Sequence, residues 1–158
     1  MGGGGGSHSI GNIRSFIEKA KEELRASEGK RNVFISFAYE DVDEVNFLRA
    51  HAKNENSPIE FNDWSVSEPI NSERAPYIKQ KIGERINQSS LTVVYLSAGS
   101  AKSEWVNWEI EESLKRGKKV LGVYKGATKP KTLPKVFSTN KLSAVPWSDL
   151  AATIEKLD

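Results

Sequence analysis

The chain contains no cysteine and only two histidines, His8 and His51. Without thiols it can build neither a disulfide framework nor a thiolate-bound metal centre. Two imidazoles, one of them close to the N-terminus, argue against a histidine-rich metal site and against a Ser-His-Asp triad, so no bound metal is expected. An excess of one charge is also missing: 23 Lys and Arg face 21 Asp and Glu, a formal net charge of +2. That balance is too even for a binder of phosphate backbones, and nucleic acid is not an expected partner. No apolar run approaches the roughly 18–20 residues of a membrane span. The start lacks the basic-then-apolar order of a secretion signal, so the expectation is a cytoplasmic protein with no membrane contact. The opening MGGGGGSHS offers Gly2 but places Gly6 where a myristoylation pattern needs Ser or Thr; residues 1–11 read as a flexible Gly-rich tail.

What is present fits one globular domain, since 158 residues suffice for a single core. Ile13, Phe16, Ile17, Ala20 and Leu24 recur at three and four residues, predicting an amphipathic helix within residues 12–28 that ends before Gly29. From Arg31 two periods alternate. RNVFISF, IEFN at 59–62, LTVVYLS at 91–97, KKVLGVY and the late LSAVPW are short, β-branched or aromatic runs that read as strands. Between them lie helical stripes: Val42, Val45, Leu48 and Ala52; Tyr77, Ile78, Ile82 and Ile86 behind Pro76; the segment from Ser103 to Leu114, ended by Gly117. A final stripe of Leu150, Ile154 and Leu157 follows Ser148, a candidate N-cap. The stretches DWSVSEPINSER and about 125–140 carry no stripe and read as loops.

Strands that alternate with helices and are apolar throughout imply an α/β fold with a parallel sheet covered on both faces. The expected architecture is flavodoxin-like: a doubly wound, five-stranded sheet of order 2-1-3-4-5, with an extra N-terminal helix. Ligands of such sheets bind beyond the carboxyl ends of the strands where the order reverses. That rule selects residues 37–41, 63–71 and 97–109.

Within that region SEWVNWEIEESL is the richest stretch. On a helical wheel Val106, Ile110, Ser113 and Leu114 gather on one side, and Glu104, Asn107, Glu111 and Lys115 opposite. Glu109 falls on the seam, one turn from Trp105. Its carboxylate is either a reactive group at the edge of the core or a snorkelling side chain of an ordinary amphipathic helix.

The segments NVFISFAYED, FNDWSVSEPINS, SSLTVVYLSAGSAKSEWVNWEIEESLKRGKKVLGVY and AVPWSDL together resemble the Toll/interleukin-1 receptor (TIR) family. The likeness is closest to the bacterial TIR-like branch that includes signalling subunits of Thoeris antiphage systems, and it covers residues 31–158. The third segment is the most specific, with its apolar strand, Leu-Ser, short loop, Trp-Val-x-x-Glu-Ile, and Gly-Lys before the next strand. The resemblance implies an enzyme that cleaves the nicotinamide–ribose bond of NAD, as substrate and not as cofactor, to give an ADP-ribose-derived signal. It implies Glu109 as the catalytic carboxylate and Trp105 as the tryptophan that precedes it. It also implies self-association into an oligomer or filament, and a phage-derived activator.

By location, Phe37, Tyr39, Trp64 and Trp105 are candidates for holding planar rings, and each has a packing alternative: Phe37 as core, Trp105 as a lid between its helix and the preceding loop, and Trp64 as a ring covered by the domain itself. Asp63 and Ser65 could meet ribose or phosphate, although an Asx turn is the competing reading for Asp63. Ser97 and Ser100 could meet a diphosphate, but no Gly-rich phosphate fingerprint accompanies them. The chain departs from many enzymatic relatives in having Ala38 and Tyr39 in place of basic residues after the first strand, which leaves Lys102 or Arg74 to meet phosphate charge. Glu112 is expected to face water. The competing function is a non-catalytic TIR-like interaction module, assembling through the loop after strand two and the first helix. A phosphoacceptor receiver is excluded, because strand three ends in Leu96-Ser97 where an aspartate would be needed.

Overall fold

A computed structural model describes residues 15–18, 31–54, 59–63 and 66–157. The chain divides after Lys30 into two units. Of the first, residues 15–18 are helical. The remainder of the expected N-terminal helix and the Gly-rich tail lie outside the described residues, as do Trp64 and Ser65.

The second unit runs β1 (Arg31–Ser36), α1 (Val42–Asn54), β2 (Ile59–Asn62), α2 (Ala75–Gln88), β3 (Leu91–Tyr95), α3 (Ala98–Lys102), α4 (Glu104–Lys115), β4 (Lys119–Tyr124), α5 (Lys135–Thr139), β5 (Ala144–Pro146) and α6 (Leu150–Glu155). The five strands form one sheet of order β2-β1-β3-β4-β5, every pair parallel, as the alternation of periods requires. Among the described residues no helix is long and apolar enough to cross a membrane.

The continuous apolar strands serve two cores, because successive side chains point to opposite faces. Val33 and Ile35 of β1, with Phe37 just after it, join Leu91, Val93, Tyr95, Leu121 and Val123 beneath α1 and α6, which add Val45, Leu48, Leu150 and Ile154. On the other face, Phe34 packs with Ile78, Ile82 and Ile86 of α2 and with Trp105 of α4. Val94 and Leu96 pack there with Val106, Ile110 and Phe137. Full burial of each large aliphatic or aromatic side chain stabilises the fold by about 1.5–3 kcal/mol.

Three local features differ from the sequence expectation. The loop at 125–140 contains α5, a helix of five residues that buries Phe137 against Gly122 of β4; a Cβ there would come within 2.6 Å of the ring. The Ser97–Ser103 stretch contains another five-residue helix, α3. Both helices are too short to write a stripe. Ser148 does not cap the last helix: Trp147–Asp149 first make a 3-10 turn, placing Trp147 on Phe61 with ring centroids 5.5 Å apart, and α6 begins only at Leu150.

Candidate functional site

The order of the sheet reverses between β1 and β3, and the carboxyl ends of β1, β2 and β3 stop at Ser36, Asn62 and Tyr95. Over the β1 end lies α4. The hydroxyl of Ser103 caps this helix by accepting from the Val106 N–H at 3.1 Å, and Gly117, at φ +74°, turns the chain after it. That start sets the phase of the helix so that Trp105, Val106, Glu109, Ile110 and Ser113 all face inward.

Glu109 therefore lies deeper than the seam position on the wheel suggests: only 4% of it is exposed. Its Oε1 accepts a hydrogen bond of 2.7 Å from Oγ of Ser36, itself fully buried at the end of β1. The backbone of Glu109 is held as well. Its carbonyl oxygen accepts from the Ser113 hydroxyl at 2.7 Å, and that hydroxyl lies 2.8 Å from the Thr92 hydroxyl on β3. Since Ser113 gives its proton to the carbonyl, Thr92 is the donor between the two hydroxyls. In register, Phe34 pairs with Thr92 and Ser36 with Val94, so Ser36 and Thr92 share the sheet face under α4.

Burial pushes the Glu109 carboxyl up to about 8; the Ser36 hydrogen bond opposes this rise and the negative charge of Asp63 adds to it. Asp63 follows β2 directly and is paired with Arg49 of α1 at 2.5 Å. Its neighbour Asn62 accepts from Arg85 of α2 at 2.5 Å. Trp105 closes the opposite flank. Its Nε1–H donates to the Glu68 carbonyl at 2.6 Å, pinning the loop after β2 to the first turn of α4, and its ring meets Trp108 edge-on at 5.9 Å. Val66 and Ile70 of the loop pack into the same cluster, and Glu68 pairs with Arg74 at 3.0 Å.

The expected residues thus divide. Glu109, Trp105 and Asp63 are brought to one place. Phe37 is in the core of the opposite face, which corrects its reading as a ligand wall: as the next odd position after Val33 and Ile35, its ring follows theirs under α1 and α6. The Ser97 hydroxyl is already engaged, accepting from the Ser100 N–H and donating to Asp41 at 2.5 Å; its capping box with Ser100 starts α3, so it is not a free diphosphate ligand. Tyr39 is 55% exposed in the 3-10 turn Tyr39–Asp41. Near that turn, burial raises the Asp41 carboxyl despite the Ser97 bond, and Tyr95 donates to Glu44. Arg74 is taken up by Glu68, Lys102 is exposed on α3, and Glu112 is half-buried against Arg116 at 3.0 Å and does not point freely to water. Glu109 lines neither the groove of about 630 Å3 between α4 and α5 nor the smaller cavity of about 260 Å3 at the amino ends of β1, β3 and β4.

From sequence alone Ser36, Thr92 and Arg49 carry no role, and Ser113 falls on the apolar side of its helix without a partner. The available signal was a hydroxyl inside an apolar strand, as in FISF and LTVV, where burial demands a partner.

Residues 34–130, more than half of the chain, match the family model described as Thoeris protein ThsB, TIR-like domain. A Bacillus cereus (strain MSX-D12) protein provisionally named cyclic ADP-D-ribose synthase ThsB1 is 31% identical over 105 residues, which is 64% of this chain and 55% of that protein. The chain thus spans about half the length of that relative. Among solved structures, the TIR domains of the activated Roq1 resistosome recognising the effector XopQ are similar at 22% identity and a TM-score of 0.44, over 63% of this chain and 60% of that one. A 3-dehydroquinate dehydratase-like protein from Bifidobacterium longum is similar at 7% identity and a TM-score of 0.43, over 80% and 94%. The fold stands on its strand order and register. By the extent of the family match, the chain belongs to the Thoeris ThsB TIR-like family.

Proposed function

We propose that the chain cleaves the bond between nicotinamide and ribose in NAD, releasing neutral nicotinamide and an ADP-ribose-derived signal. The observation that carries this reading is a carboxyl buried at the switch point, with one oxygen anchored by Ser36. When the C1′–N bond breaks, its electron pair leaves with the pyridine nitrogen and positive charge develops on the ribose ring. A carboxylate fixed beside that ring stabilises the oxocarbenium-like state without having to reorganise. Attack at C1′ by water gives ADP-ribose and one proton; attack by a hydroxyl or ring nitrogen of the same molecule gives a cyclic product and one proton. The name borne by the Bacillus cereus relative supports the cyclic outcome. In this reading Trp105 flanks the carboxyl on the side of the loop after β2, and Asp63, paired with Arg49 of α1, flanks it at the end of β2. Self-association of the chain and a phage-derived trigger belong to the same reading.

The test is mass spectrometry of products after incubating the purified chain with NAD, alone and with extract of phage-infected cells. Nicotinamide together with a linear or cyclic ADP-ribose is the expected result. Absence of nicotinamide under every condition, with the chain folded and assembled, would overturn the proposal in favour of a non-catalytic interaction module.

A further inference from the structure

We infer that Ser36 is the positioning residue of this site: its hydroxyl holds Oε1 of Glu109 and leaves Oε2 to face the ribose. The inference rests on the proposed function and adds to it a second side chain with a defined task.

Ser36 is fully buried, and its hydroxyl proton goes to Glu109 at 2.7 Å. Among the described residues it is the hydrogen-bond donor to that carboxylate. A buried carboxylate with one donor has one oxygen committed and one available, and rotation about its last torsion, otherwise broad, is stopped by the bond. The backbone beneath cannot drift either, because the Thr92–Ser113–Glu109 carbonyl chain ties the same turn of α4 to β3. Two strands therefore hold one residue at both ends. The charged group that acts on the carboxyl from β2 is Asp63, itself paired with Arg49 of α1, while Arg85 of α2 is bound to Asn62.

The test uses the full chain, uniformly labelled with 13C-glutamate. Titration of the Glu109 carboxyl by NMR reads the hold on the carboxylate without substrate, and nicotinamide release reads its use. Ser36→Ala should raise the titration midpoint and slow kcat roughly tenfold with KM little changed. Ser36→Thr, which keeps the donor, should restore most of both. Phe137→Leu, remote from the site, should lower Tm without moving the midpoint. The inference is overturned if Ser36→Ala leaves midpoint and kcat in place, or if Phe137→Leu moves the midpoint as far. If the midpoint moves in a chain that releases no nicotinamide under any condition, the assignment of Ser36 to the carboxylate stands and the proposed function fails.

Discussion

Ser36 and Glu109 are separated by 73 residues along the chain and joined by a hydrogen bond of 2.7 Å. The bond connects the carboxyl end of β1 to the middle of α4, and it places a titrating group where the strand order of the sheet reverses. Because burial holds that group near 8, its protonation varies over the physiological range.

The first consequence is a pH-dependent rate. If the ionised carboxylate is the active form, kcat/KM should rise with pH along an acidic limb with a midpoint of about 8, the value of the free enzyme. In the complex the cationic pyridinium of NAD favours the carboxylate, so the limb of kcat should lie at lower pH. Initial rates of nicotinamide release from about pH 6 to 9 check both.

The neighbouring aspartate should act in the opposite sense to Ser36. Asp63 raises the Glu109 carboxyl by its charge, so Asp63→Asn should move the limb of kcat/KM to lower pH, whereas Ser36→Ala moves it higher. Profiles of both variants that shift in the same direction would contradict this electrostatic assignment.

Stability carries the same signature. A carboxyl raised from 4.5 to about 8 on folding costs nothing while protonated in both states; the cost grows as pH climbs from 4.5 and is complete above about 8. Glu109→Gln keeps an acceptor for Ser36 and removes the charge. Its Tm relative to the native chain should therefore increase between about pH 5 and 8.5, by the equivalent of a few kcal/mol at most. Thermal melts across that range check the slope.

Much of this arrangement was legible in the sequence. Parallel strands buried on both faces are apolar at nearly every position, so RNVFISF and LTVVYLS declare themselves, and the helical stripes between them imply a parallel sheet, for which the flavodoxin-like order is the first choice at this size. Glu109 was legible as a carboxylate beside Trp105 on a helix directed at the switch point. Its partner was not, because no local period couples residue 36 to residue 109. Such a bond exists only once α4 is stacked on β1. Phe37 shows the converse limit: near the crevice along the chain, it alternates onto the far face by the two-residue period of its strand.

Packing at β4 yields a further prediction. A methyl group at Gly122 would approach Phe137 within 2.6 Å and Leu96 within 2.8 Å. Gly122→Ala should cost about 1–3 kcal/mol, and combining it with Phe137→Leu should recover part of that loss. Chemical denaturation of the single and double variants measures the coupling.

The tryptophan that precedes the carboxylate can be tested apart from chemistry. Trp105→Phe retains most of the ring but removes the donor to the Glu68 carbonyl, a loss of about 1 kcal/mol. The loop after β2 should exchange its amide hydrogens faster while the strands keep their protection. Unchanged exchange at residues 66–74 would show that the indole does not hold this loop.

The central claim is that the Glu109 carboxylate stabilises the departing state of the ribose, and the rate of nicotinamide release by the native chain and by Glu109→Gln under identical activating conditions addresses it most directly. The account requires a fall of about a hundredfold or more in a variant that melts at least as high as the native protein. Release by Glu109→Gln at the native rate would contradict it.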